Sequence, residues 1–133
     1  MESTYLSFEE LVIWQEGMKI CYQVYDSLMD CLDYGLKNQM ERSAVSIPSN
    51  ISEGYELSSD RAFIRHLYIA KGSSGELRTQ LYIAIRQKYI PQNTGNEMID
   101  QLKKLSSMIQ KFITARRQRN ATAFLKKTLF FLF

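Results

Sequence analysis

Basic side chains at helical spacing are the chemistry this sequence carries. Arg61, Arg65, Lys71, Arg78 and Arg86 fall in one long helical stretch, and Lys103, Lys104 and Lys111 in the next. At about 100° per residue, Lys71, Arg78 and Arg86, with Arg61 and Arg65 further round, share an arc of roughly 140° away from the apolar side. The three later lysines lie opposite Leu105 and Phe112 and so face outward, and Arg116, Arg117 and Arg119 follow as a cluster. Faces of this kind bind phosphate backbones by neutralising charge, without reading base sequence. The competing reading is an ordinary solvated surface. No base-reading signature of the RRM, KH or zinc type accompanies them.

Catalytic chemistry has little to work with. His66 is the single histidine, and the residue three before it is Phe63, where a bundle di-metal site wants glutamate. Glu53 and Glu76 are candidate buried carboxylates, each better explained by capping or by pairing with an arginine. Lys71-Gly72-Ser73-Ser74-Gly75 lacks phosphate-loop spacing and lies inside a helical pattern. The expectation is a protein that is not an enzyme, with no catalytic residue, metal or cofactor.

The charge is sorted along the chain. Residues 1–60 carry three basic residues against eleven carboxylates, net −8, whereas residues 61–133 carry fourteen against three, net +11. The whole-chain value of +3 hides this. A half this basic attracts polyanions or the acidic half of another subunit. RNA or RNA/DNA and self-association are therefore the partners to weigh.

A chain of 133 residues makes one domain without covalent staples. Cys21 and Cys31 form no framework and no CxxC pair, which points to a reducing, cytoplasmic setting. Met1-Glu2-Ser3-Thr4 does not read as a signal peptide. The longest apolar cluster, Thr128 to Phe133, is far short of the roughly 20 residues that span a bilayer, so no membrane is expected.

Four helices must position the basic residues. Ser7 and Glu10 are spaced as a capping box, placing the first start near Phe8, with a stripe of Leu11, Trp14, Met18, Cys21, Tyr25, Leu28 and Leu32. The second helix carries Leu36, Met40, Ser43, Ile47 and Ile51 and is expected to end at Gly54, kinked at Pro48. Ser58 or Ser59 caps the third, whose seam is Phe63, Leu67, Ala70, Ser74, Leu77, Leu81 and Ala84. Gly72 and Gly75 lie off that seam, which suggests close approach of another backbone, within the bundle or from another subunit. The fourth starts after Gly95 with Met98, Leu102, Leu105, Ile109 and Phe112, and is expected to fray at Arg116 to Asn120. Short connections give an all-α, antiparallel up-down-up-down four-helix bundle over residues 1–119, with a basic-apolar tail over 120–133.

Two segments are familiar. Tyr34-Gly35-Leu36, Gln39 and Arg42-Ser43-Ala44-Val45-Ser46-Ile47-Pro48-Ser49-Asn50-Ile51, then Glu53-Gly54, resemble the second helix of the bacterial four helix bundle protein family. Its members are products of intervening sequences inside large-subunit rRNA genes. Phe63-Ile64-Arg65, Leu67-Tyr68-Ile69-Ala70, Gly72-Ser73, Glu76-Leu77 and Thr79-Gln80-Leu81 resemble its third helix, and Val12-Ile13-Trp14-Gln15 its first. The resemblance implies a ring-shaped homopentamer. It also extends to the accessory variability determinant of diversity-generating retroelements, a basic pentamer that binds a reverse transcriptase and its template RNA. Together these readings give an RNA-binding homo-oligomeric accessory of a reverse transcriptase, with the eleven basic residues above on phosphates. The alternatives are a protein-interaction scaffold and an intervening-sequence product acting near ribosomal RNA.

Overall fold

The two middle helices start and stop where local chemistry satisfies their end groups. The computed structural model describes residues 7–132, with side chains to residue 130. The readings of Met1 to Thr4, of Phe133 and of the side chains of Phe131 and Leu132 lie outside the described residues. A 3-10 turn, Phe8–Glu10, precedes α1 (Val12–Ser27), α2 (Tyr34–Glu56), α3 (Asp60–Arg86) and α4 (Gln92–Leu132), and no strand occurs among the described residues. The Asp33 carboxylate accepts from the Leu36 N–H at 3.1 Å, and the Ser59 hydroxyl from the Ala62 N–H at 3.1 Å, so both helices start on a side-chain cap. The Ser7 side chain makes no such cap, so its half of the expected capping box is not formed.

Two non-glycine residues in the left-handed region end the middle helices, Ser58 at φ 63° and Lys88 at φ 62°. After α3 the Tyr89 N–H donates to the Ala84 carbonyl at 2.9 Å and the Lys88 N–H to that of Ile85 at 3.0 Å, a Schellman closure. Helix α2 therefore runs past Gly54 to Glu56. It is continuous through Pro48, which is buried.

The seams expected of α2, α3 and α4 face the core, with Met40, Ile47, Ile51, Phe63, Leu67, Leu77, Leu81, Leu102, Leu105 and Ile109 all buried. The first stripe holds in part. Leu11, Cys21 and Leu28 are buried as expected and Trp14 packs against the core, but Ile13, Gly17, Ile20 and Val24 are buried as well, while Tyr25 is exposed and Leu32 lies beyond the helix, 77 % exposed. Gly17 marks where α1 packs on α2 at the proline, since a Cβ there would meet Ile47 Cγ2 at 3.4 Å and the Pro48 ring at 3.7 Å, ordinary contact distances. A stripe that passes through a glycine is invisible to a count of apolar residues.

Around the bundle α1 packs on α2, α2 on α3, α3 on α4 and α4 on α1. Ser46 meets Ser73 and Asn50 meets His66, so contacts between α2 and α3 run in opposite sequence directions. Between α3 and α4, Ser74 meets the Leu102 carbonyl, Lys71 meets Gln110 and Asp60 meets Arg116, again in opposite directions.

Fraying at Arg116 to Asn120 does not occur. Arg116 and Arg119 both reach Asp60 in the first turn of α3, each at 2.7 Å, and α4 continues to Leu132. Beyond residue 119 thirteen helical residues extend it by about 20 Å. Phe124, Leu125, Leu129 and Phe130 on this extension are exposed.

Candidate functional site

Three of the basic residues converge where α3 meets α4. Lys71 and Arg78, one turn-pair apart on α3, and Lys103 on α4 line a cleft of about 350 Å³, together with Ser106, Ser107 and Gln110. The Lys71 ammonium donates to Gln110 Oε1 at 2.7 Å, which holds it against α4. Arg78 Nε is buried and has no hydrogen-bond partner. Among the described residues no carboxylate forms an ion pair with any of the three. Like charges gathered without a counterion repel one another, so this cleft is electrostatically unfinished.

A second cluster lies along the same two helices. Arg61 and Arg65 of α3 and Arg117 of α4 surround Tyr68 in a hollow of about 620 Å³, with Ser59, Ala62 and Ile64 completing it. The Arg117 guanidinium lies 5.1 Å from the centre of the Tyr68 ring, within cation–π range. From Arg61 to Arg78 the two clusters follow about 26 Å of helix.

The remaining basic residues are not gathered there. Arg116 and Arg119 are held by Asp60, and Arg116 also stacks 4.9 Å over Phe63. Burial alone would push the Asp60 carboxyl up, but hydrogen bonds from Arg116 and Arg119 and their charge outweigh it and hold it below the ordinary range. Lys104 faces the other side of α4, in a groove with Val12, Glu16, Gln101, Leu105 and Met108. Arg86 and Lys111 are exposed and line none of these hollows.

Charge and spacing in the sequence do not single out Tyr68, Ser106, Ser107 or Gln110 as site residues. Lys103, Ser106 or Ser107, and Gln110 recur at helical spacing on one face of α4, a signal that was present but carries no charge beyond the lysine.

His66 belongs to a buried polar chain between α2 and α3. The Asn50 amide donates to the Ser46 carbonyl at 2.8 Å, so its oxygen faces His66 Nδ1, which donates to it at 2.9 Å. Ser46 and Ser73 hydroxyls bond at 2.7 Å, continuing the chain. Gly54 allows it: a Cβ there would sit 2.6 Å from His66 Cβ. Glu53 and Glu76, read as candidate buried carboxylates, are both exposed. No group of three or more His, Cys, Asp or Glu among the described residues is placed to hold a metal ion, and no helix there is long and apolar enough to cross a membrane.

Gly72 corrects half of an expectation. Nothing lies within 4 Å of a Cβ built on it, and at Gly75 the nearest atom is Arg78 Nη2 at 4.0 Å. No backbone of the subunit approaches either glycine.

Comparison with known proteins agrees with this architecture. No curated protein matches the chain. A crystal structure of a protein of unknown function from the S23 ribosomal protein family of Bacteroides thetaiotaomicron is similar at 23 % identity, with a TM-score of 0.72. The match covers 77 % of this chain and 98 % of that one, and at this identity it speaks for the fold alone. The family model for the 23S rRNA-intervening sequence protein matches residues 9–111, which takes in all of α1, α2 and α3 and α4 as far as Lys111, just short of the buried Ile113. With the serine-proline-asparagine segment of α2 seated on α1 and α3, and the family model spanning the bundle, the chain belongs to the 23S rRNA-intervening sequence protein family.

Proposed function

We propose that this protein is a non-enzymatic, RNA-binding homo-oligomer that works in the cytoplasm and grips phosphates along the α3–α4 face. The observation that carries the reading is the run of unpaired cations down those two helices, Arg61, Arg65 and Arg117 around Tyr68 and then Lys71, Arg78 and Lys103. Opposite charge on the two ends of the sequence and the partnerless Gly72 support contacts between subunits. An exposed aromatic ring beside arginines suits a stacked base in single-stranded RNA.

Counterion release sets the test. Affinity for a single-stranded RNA should fall by about 10³–10⁵ between 50 and 200 mM salt if roughly 6–10 phosphates are engaged. Arg61, Lys103 and Arg117 are exposed members of the two hollows, so replacing all three with glutamate leaves the core untouched. Binding by that variant should collapse while helicity and mass are unchanged. RNA affinity equal to the parent's makes the basic face a surface for acidic protein partners, the scaffold reading.

The finer role, accessory to a reverse transcriptase in a diversity-generating retroelement, is supported by the resemblance and by the basic face. A neighbouring reverse transcriptase gene with a variable repeat is its expected genomic setting. An rRNA operon there gives the intervening-sequence role instead.

A further inference from the structure

The α3–α4 cleft differs from the rest of the basic face in holding an arginine nitrogen that is buried and without a hydrogen-bond partner. We propose that it is a discrete seat for one phosphate group, formed by Lys71, Arg78 and Lys103 with the hydroxyls of Ser106 and Ser107. The proposal deepens the RNA reading and rests on it only for the origin of the phosphate. Three features carry it. The first is charge. Three cations line a space of about 350 Å³, and among the described residues no carboxylate pairs with them, so an anion entering the cleft removes a standing repulsion.

The second is a missing acceptor. A buried N–H with no partner is unfavourable, and Arg78 Nε is such a group. An oxyanion in the cleft offers it an acceptor once the guanidinium turns toward the ligand, and arginine is the side chain suited to two-point contact with a tetrahedral oxyanion. The third is positioning. Gln110 fixes the Lys71 ammonium at 2.7 Å, so one cation is already oriented before a ligand arrives. Ser106 and Ser107 add neutral donors that suit phosphate oxygens and do nothing for a purely Coulombic surface. A dianionic monoester matches three cations better than a singly charged diester, although either fits the chemistry.

The Nε–H of Arg78 is itself the reporter. Inorganic phosphate titrated into the full-length protein at low salt should shift the Arg78 side-chain NMR signal saturably, with chloride at matched ionic strength as the control. Lys103→Gln, at an exposed position, should weaken the response about tenfold, the scale of one charge-assisted contact. Arg78→Lys keeps the charge but loses the fork and should also weaken phosphate binding, read from the Lys103 side chain. Short RNAs with a 5′-phosphate or a 5′-hydroxyl then identify the source. Tighter binding of the phosphorylated end assigns the seat to chain termini, and equal binding with the Arg78 shift present assigns it to internal phosphates. A signal unmoved by phosphate, moved equally by chloride, or unaffected by Lys103→Gln overturns the seat. If RNA binds while Arg78 stays silent, the seat falls and the RNA reading stands. If phosphate shifts Arg78 while RNA does not bind, the reverse holds.

Discussion

At the scale of single residues, Asp60 has the largest structural task of any exposed-helix carboxylate here. It begins α3, where the positive end of the helix dipole favours an anion, and it receives two arginines from α4. Its side chain is only 12 % exposed, so these contacts are poorly screened. Asp60→Asn should destabilise the protein by about 1–3 kcal/mol at neutral pH. The sign with pH follows from the lowered carboxyl. The folded state binds the proton more weakly than the unfolded chain, so the contribution is complete above the ordinary value of 3.8 and is lost as pH falls through the folded value. Urea unfolding of the parent and the variant should therefore show a wide gap at pH 7 that narrows below pH 3.8. A gap of constant width would mean that Asp60 acts through shape and not through charge.

Among the elements, α4 departs furthest from ordinary bundle proportions. Its first part packs on α1 and α3, the Asp60 clamp carries it to Arg119, and residues 120–130 are exposed. Phe124, Leu125 and Leu129 are among them, and an exposed large apolar side chain forgoes about 1.5–3 kcal/mol that burial would return. A neighbouring copy or a partner protein is the proposed cover. Removing residues 121–133 should lower helical ellipticity yet leave the melting temperature of the bundle unchanged, because residues 121–130 are all exposed. Solubility or assembly should change with it. A truncated protein that assembles, dissolves and melts like the parent would leave the extension without a role.

At the scale of the whole molecule, α3 has a second seam opposite the core. Arg65, Ile69, Gly72, Thr79, Ile83 and Arg86 are exposed at helical spacing, with open space over Gly72. A glycine in mid-helix costs roughly 1 kcal/mol against alanine, and within the subunit nothing offsets that cost. The homo-oligomer proposed above offsets it by letting another subunit approach. Light scattering at micromolar concentration should then give a mass several times 15.5 kDa. Gly72→Gln improves helix propensity, so a loss of mass in that variant cannot come from unfolding and would locate the contact. A parent protein that runs as a single chain at that concentration removes self-association from the proposal.

The apolar periodicity of residues 36–51, 63–84 and 98–112 was enough to specify three helices and their buried faces, because a core stripe at 3.6-residue spacing leaves little choice of rotation. For the first stripe the same reasoning placed Leu11, Cys21 and Leu28 correctly but missed Ile13, Gly17, Ile20 and Val24, a side of α1 that meets Ile47 and Pro48 at Gly17. Helix ends at Ser58 and Lys88 were equally hidden, since a left-handed backbone at a non-glycine residue is imposed by the chain direction that packing requires. Sequence also gave the inventory of cations and their outward arcs. It could not separate Arg116 and Arg119, spent on Asp60, from Lys71, Arg78 and Lys103, which face one another unpaired. Charge is a property of a residue, but its availability depends on what another helix, some fifty residues away in sequence, brings within hydrogen-bond reach. Only the tertiary structure sets that distance.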